Sequence, residues 1–299
     1  MDQKLLDEVR VAAVELSEAV TKLLGGWRDK EPPAFTLYHF TDCAGLVGIL
    51  TTKTLCASLA TSLNDASETK YAISRLRSNL ETKAVALKHL RENSLLEYSD
   101  QRKFRRDFRT YVCSFCGAAE AVHWLHYGRS GTGVAVGFDS LSLYKVRQFT
   151  LYPVIYEPKE QDALLGAVLD LVDRCASKFA IHQELLNEFF PELAVSYLRL
   201  LAPRMKDPAF KSENEWRLIS NEEWVAGEAA DPTRDTHFRS ENGRIIPYKK
   251  IEFTTLPVRH VELGASSPIE VSDQALSVLM ENTLGEARHV SRSNVPVRP

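Results

Sequence analysis

Residues 35–58 leave this chain little freedom in how it can fold. Phe35, Leu37 and His39 alternate with Thr36, Tyr38 and Phe40, the period of a strand spanning 35–40. Asp42 follows at once, placed to cap a helix by accepting from its first free amides. Gly45-Leu46-Val47-Gly48-Ile49-Leu50 supplies that helix over 43–51, and a second short strand is expected at 55–58. The first strand thus ends in polar atoms beside a helix start, a place that suits a ligand carrying hydroxyls and phosphates. His39 and Thr41 are the side chains so placed.

The remaining pattern mixes the two periods without βαβ regularity. Apolar residues at helical spacing predict a helix over 2–24, stopped by Gly25-Gly26 and set apart by Pro32-Pro33. Ser62-Leu63-Asn64-Asp65 reads as a turn, with a long helix over 66–92. Strands are expected at 111–116, 134–138, 147–156, 213–219, 244–251, 258–263 and 287–293, and helices at 119–127 and 272–282. Helices at 160–181 and 184–201 interrupt the strand series and read as an insertion, over 158–202, into one sheet. The polar run 221–242 is expected to be a surface loop. The whole reads as one α+β domain over 1–299, with an N-terminal helix within 1–30 and a mainly antiparallel sheet wrapped by helices.

Composition excludes several classes. With 44% hydrophobic and 26% charged residues and a net charge of −3, the chain has ample material for a core, so disorder is not expected. No apolar run reaches the roughly 18 residues of a membrane span. The N-terminal segment lacks the basic region and apolar core of a signal peptide, so a cytoplasmic protein without membrane association is expected. Five cysteines, mostly inside apolar runs, argue against a disulfide scaffold. Cys113-Ser114-Phe115-Cys116 matches C-x-x-C, but only His123 is at hand as a further ligand, so the motif is read as a buried strand and no metal is expected.

Two segments invite a ligand. Residues 101–109 set five basic side chains around Phe104 and Phe108, which suits a polyanion, though a solvated helix face with two core phenylalanines is an equal reading. The loop from Gly128 to Gly133 is glycine-rich but lacks a phosphate-loop or dinucleotide-binding pattern. Trp124 and Tyr127, three apart, are expected to share a helix face. On a strand over 213–219, Glu213, Glu215 and Arg217 would project together from one face, marking either a solvated edge or a site.

Leu37-Tyr38-His39-Phe40-Thr41, the helix ending Gly48-Ile49-Leu50 and the strand Glu215-Trp216-Arg217-Leu218-Ile219 together resemble the ADP-ribosyltransferases, in particular the DarT-type toxins that modify DNA. Glu213-Asn214-Glu215 is similar to the E-x-E of the arginine- and toxin-type transferases, in which the second glutamate is catalytic. The turn at Asn64-Asp65, the W-x-x-Y helix and E-N-E-W-R also resemble an uncharacterised bacterial domain family compatible with this fold. The resemblance departs from the family in three respects. Tyr71 and Tyr127 both compete for the tyrosine of the histidine–tyrosine–glutamate class, the serine–threonine–serine run is reduced to Ser114, and neither the N-terminal helix nor the helices at 160–201 have a counterpart in a minimal transferase core.

What the resemblance implies is an ADP-ribosyltransferase-like split sheet and an NAD-consuming toxin acting on RNA or single-stranded DNA. An antitoxin protein as partner and a phage-defence setting come with it. Glu215, with Glu213, would stabilise the cation that develops on the nicotinamide ribose, and Glu215 would serve as base toward the acceptor. Tyr38, His39, Thr41, Asn64, Trp124, Tyr127 and Arg217 would hold NAD, with Arg129 an alternative partner for the diphosphate. Each residue also has a plainer reading: a strand histidine is structural, Trp124 and Tyr127 are core, Glu213 and Arg217 form a weak surface pair, and Asn64 builds a turn. Modification of a protein side chain and a non-enzymatic nucleotide- or partner-binding module remain as alternatives.

Overall fold

A computed structural model of the 299-residue chain describes residues 2–25, 34–62, 70–72, 74–76, 78–79, 110–220, 235–241 and 243–295. Its frame is a 10-stranded sheet, antiparallel at every described pairing except the last, β9 with β10. The strands are β1 (Thr36–Thr41), β2 (Thr54–Leu59), β3 (Tyr111–Cys116), β4 (Val134–Asp139), β5 (Phe149–Pro153), β6 (Glu215–Ser220), β7 (His237–Glu241), β8 (Arg244–Glu252), β9 (Val258–Leu263) and β10 (His289–Arg292). They run in the order β10-β9-β4-β1-β3-β2-β8-β7, while β6 lies on β3 and carries β5. The mixed composition of helix and mostly antiparallel strand is the expected α+β class.

Strand β3 is where this sheet divides. One edge is filled by β6 from Val112↔Ile219 to Cys116↔Glu215. The other edge is shared by two strands. β1 meets it at Tyr38↔Cys116, and β2 meets it at Ser58↔Val112 and Leu59↔Tyr111. Between those contacts β1 and β2 part.

Helices α1 (Gln3–Gly25), α2 (Cys43–Thr52), α3 (Ala121–His126), α4 (Ser140–Tyr144), α5 (Pro158–Ser177), α6 (Phe190–Leu201) and α7 (Gln274–Leu284) surround the strands. Asp42 does cap α2, its Oδ1 accepting from the Gly45 amide at 2.8 Å. Two separate hydrophobic clusters form. Leu37, Val136, Phe138, Phe115 and Leu218 of the sheet close on Leu46 and Leu50 of α2, Leu143 of α4 and Leu276 of α7. Val20 of α1, Val168, Leu169 and Val172 of α5, and Phe190 and Leu193 of α6 make the second. The expected helical insertion therefore has a core of its own, shared with the N-terminal helix.

The join between the two clusters is narrow. The chain leaves α6 through a 3-10 turn, Ala202–Arg204, and runs beside β5, forming a parallel bridge from Met205 to Ile155. Fully buried Gln161 of α5 staples that bridge, its amide donating to Ile155 O (2.7 Å) and Lys206 O (3.0 Å).

Three expectations are corrected. The run 221–242 is not loop throughout, because 237–241 is strand β7, the sheet's edge, paired to β8 in a hairpin. Strand β6 begins at Glu215 rather than 213, since Glu213 ends a 3-10 turn, Pro208–Glu213. Strand β5 covers 149–153 rather than 147–156. The helix expected over 66–92 and the basic run 101–109 lie wholly or largely outside the described residues.

Candidate functional site

Asn214 decides where the two glutamates go. Its backbone is left-handed at φ 41°, a conformation asparagine tolerates better than most residues, and its carbonyl accepts from the Gly117 amide at 2.9 Å. The kink turns Glu213 off the strand line, yet both carboxylates close on one ammonium. Lys206 Nζ lies 2.5 Å from Glu213 Oε2 and 3.1 Å from Glu215 Oε2. Arg217, one strand period on from Glu215, donates to it through Nε (2.7 Å) and Nη2 (2.8 Å), a fork matched to the carboxylate. The Ser114 side chain adds a further hydrogen bond. All four charged groups are buried.

Burial pushes the Glu215 carboxyl up, but Arg217, Lys206 and the hydrogen bonds outweigh it and hold it at about 2 instead of 4.5. Arg217 and Glu213 thus do not form the surface pair open at the sequence level; Arg217 is paired inside with Glu215. The Glu213 side differs. Its Oε1 accepts from the Tyr127 hydroxyl at 3.1 Å, and Tyr127 is 42% exposed, so this carboxylate, itself buried, is joined to a side chain that reaches solvent. Tyr71 instead donates to Gln161 at 2.8 Å, so of the two tyrosines in competition Tyr127 is the one at the carboxylates, where the Tyr156 hydroxyl also accepts from the Glu215 amide at 3.0 Å.

His39 closes the parting of the sheet. Its Nδ1 lies 3.0 Å from the Ser114 carbonyl, which can only accept, so the ring proton sits on Nδ1. Burial lowers the imidazole pKa, the Ser114 bond opposes this, and the charge of Arg239 adds to the lowering. The register places Tyr38, Cys116 and Glu215 in one cross-strand row, hence on one face. His39, the neighbour of Tyr38, points to the other face, against Phe115 at 5.7 Å between ring centres. Ser114 therefore touches both: its carbonyl takes His39 and its hydroxyl reaches Glu215.

Other candidates sit elsewhere. Trp124 is fully buried, edge-on to Phe40 at 5.0 Å, and a Cβ on Gly128 would come within 2.6 Å of its ring. It shares no exposed face with Tyr127 and has no free ring to stack on a ligand, because packing of the loop from Gly128 consumes it. Thr41 packs on the first turn of α2, where a Cβ at Gly45 would fall 1.9 Å from its hydroxyl. Arg129 pairs with Asp42 at 3.1 Å on the surface. Asn64 lies outside the described residues. Cys113 and Cys116, three apart on a strand, point to opposite faces, and both nitrogens of His123 are used, Nδ1 by the Glu120 amide (3.0 Å) and Nε2 by the Glu213 carbonyl (2.8 Å).

Sequence reasoning missed Lys206 and Arg204. Both lie in Pro203-Arg204-Met205-Lys206-Asp207-Pro208, where two prolines bracket alternating cations. The prolines signal a break from the helix, and the chain turns extended at Met205 once Arg204 has closed the 3-10 turn. Arg204 is buried, its guanidinium centre 3.2 Å from the Tyr152 ring centre.

Residues 123–218 match a family described as "Protein of unknown function (DUF2971)". The matched stretch takes in Tyr127, the helical insertion, Lys206 and both glutamates, and leaves β1 with His39 outside. No curated protein and no solved structure matches the chain.

Proposed function

We propose that this chain transfers ADP-ribose from NAD to an acceptor at the Glu213–Glu215 cluster. The observation that carries the reading is the buried carboxylate of Glu215 at the start of a late strand, held ionised by Arg217 and Lys206 beside Glu213. His39 lies on the opposite face of the sheet and meets this cluster through Ser114, whose carbonyl takes the imidazole and whose side chain bonds the carboxylate. Glu215, ionised at any working pH, supplies the negative charge that stabilises a ribosyl cation. Glu213 has acceptor capacity beyond Lys206 and Tyr127 and takes the acceptor's proton before losing it to solvent. NAD would supply the ADP-ribosyl group, nicotinamide leaving with the glycosidic electron pair as C1′ bonds the acceptor's lone pair. The balance is NAD⁺ plus acceptor–H to ADP-ribosyl-acceptor, nicotinamide and a proton.

The acceptor is nucleic acid, RNA or single-stranded DNA, on the strength of the DarT-type resemblance and the basic run 101–109. The same resemblance supports a toxin held by an antitoxin protein, in toxin–antitoxin or phage defence, within the cytoplasm. No helix among the described residues is long and apolar enough to cross a membrane.

A second reading, a nucleotide-binding module without catalysis, is favoured by how fully Glu215 is occupied: Arg217 twice, Lys206 and Ser114. Labelled NAD incubated with total RNA, single-stranded DNA and lysate protein separates the two. Label on nucleic acid that disappears in Glu215→Gln, with NAD binding retained, is expected. Label on protein alone moves the acceptor, and no label from a folded protein that binds NAD leaves the module.

A further inference from the structure

Arg204 is the one cation of this cluster that has no carboxylate among the described residues. Lys206 is held by Glu213 and Glu215, and Arg217 by Glu215. Arg204 is equally deep, at 4% exposure, yet what it has is the Tyr152 side chain, and its buried Nε finds no acceptor among the described residues. Burying a guanidinium without a counter-charge is costly, and a protein retains one where something else supplies the charge. Burial draws its pKa down from 12.5 to about 10, with the charge and hydrogen bond of Tyr152 opposing the fall.

The position of Arg204 is fixed from both sides. Its carbonyl accepts from the Ile155 amide at 2.7 Å, and the preceding carbonyl, Pro203 O, accepts from Arg217 Nη1 at 2.8 Å. The same Arg217 grips Glu215. Tyr152 and Arg217 are register partners, so the ring under Arg204 lies beside the glutamate fork. A planar, weakly hydrated fork with an empty donor next to that fork suits a tetrahedral anion better than a water.

We propose that Arg204 is an anion seat for a phosphate group of the ligand handled at Glu215. This rests on the nucleotide reading above and assigns the diphosphate to a residue at the end of the helical insertion, in place of Arg217 and Arg129, which already have partners. The full chain is tested by thermal unfolding with inorganic pyrophosphate against chloride at matched ionic strength, and by calorimetry with ADP-ribose. Pyrophosphate and ADP-ribose are expected to raise the wild-type Tm. Arg204→Met, similar in length but uncharged, should lose the pyrophosphate response and bind ADP-ribose about ten- to a hundredfold more weakly. Arg204→Lys, a point charge without the fork, should bind ADP-ribose several-fold more weakly and stands in if the methionine variant does not fold.

An unresponsive wild type, an Arg204→Met protein that keeps the pyrophosphate response, or unchanged ADP-ribose affinity in Arg204→Lys overturns the seat. The two ideas fail separately. NAD consumption that needs Glu215 in a protein indifferent to pyrophosphate leaves the transferase and removes the seat. Arg204-dependent binding of ADP-ribose without any NAD consumption leaves the seat and removes the transferase.

Discussion

Glu215 makes its largest energetic statement through its proton. Its carboxyl is held at about 2 in the fold and sits at 4.5 when unfolded. A depressed carboxylate stabilises the fold above pH 4.5, and that contribution is lost as pH falls toward 2, about 3 kcal/mol in all. Urea midpoints measured from pH 7 down to pH 3 should therefore fall steeply below 4.5 in the wild type. Glu215→Gln should start lower and follow a flatter acid limb; an identical limb would show that other carboxylates dominate. Lys206 poses the sharper stability question, since removing it takes the shared ammonium from Glu213 and Glu215, both buried, and leaves Arg217 paired to Glu215. Lys206→Met should cost about 3–5 kcal/mol, read as a loss in urea stability at pH 7 that shrinks on acidification as a carboxylate takes up a proton. A loss independent of pH would mean that packing and not charge was removed.

Among the elements, those with strong periodicity were legible and those made by tertiary context were not. Tyr111–Cys116 and Thr36–Thr41 fall within a residue of where alternation places them, because a central strand must satisfy both faces. Strand β7 was hidden since His237–Glu241 is an edge strand of mostly polar residues, with the hairpin partner β8 fixing it. The glutamates were legible as residues but not as geometry. Period-two reasoning set Glu213 and Glu215 on one face, and the left-handed Asn214 breaks that period while Lys206 restores their convergence. Trp124 went to the core for a related reason, a glycine at 128 that leaves room for the indole. Asn214 can be tested directly. Asn214→Ala puts a Cβ without a compensating side chain at φ 41° and should cost about 1–2 kcal/mol, whereas Asn214→Gly should cost less. Equal losses in urea midpoint would mean the asparagine side chain and not the backbone angle matters here.

At the scale of the molecule, two cores meet at one seam, and the candidate site lies on that seam. The sheet contributes Glu215, Arg217 and Ser114, while the segment leaving the helical core delivers Arg204 and Lys206. The helical insertion over 158–202, without a counterpart in the transferases, therefore runs straight into the segment that supplies two of the site's cations. Gln161, from within the helical unit, binds both sides of the seam. Such an arrangement predicts uneven cooperativity, because few apolar contacts cross between clusters built on α5 and on β4. Leu169→Ala, at a fully buried position of α5, should cost about 2–5 kcal/mol. Hydrogen exchange in that variant should quicken through α1, α5 and α6 and at Lys206, whose amide bonds across the seam to Ile155 O at 3.2 Å, while β1, β4 and β9 keep their protection. Any ligand response of the cluster should fall with it, since loosening the helical unit frees the cations without touching the glutamates. Uniform quickening across sheet and helices would show one cooperative unit and remove the seam as a point of control.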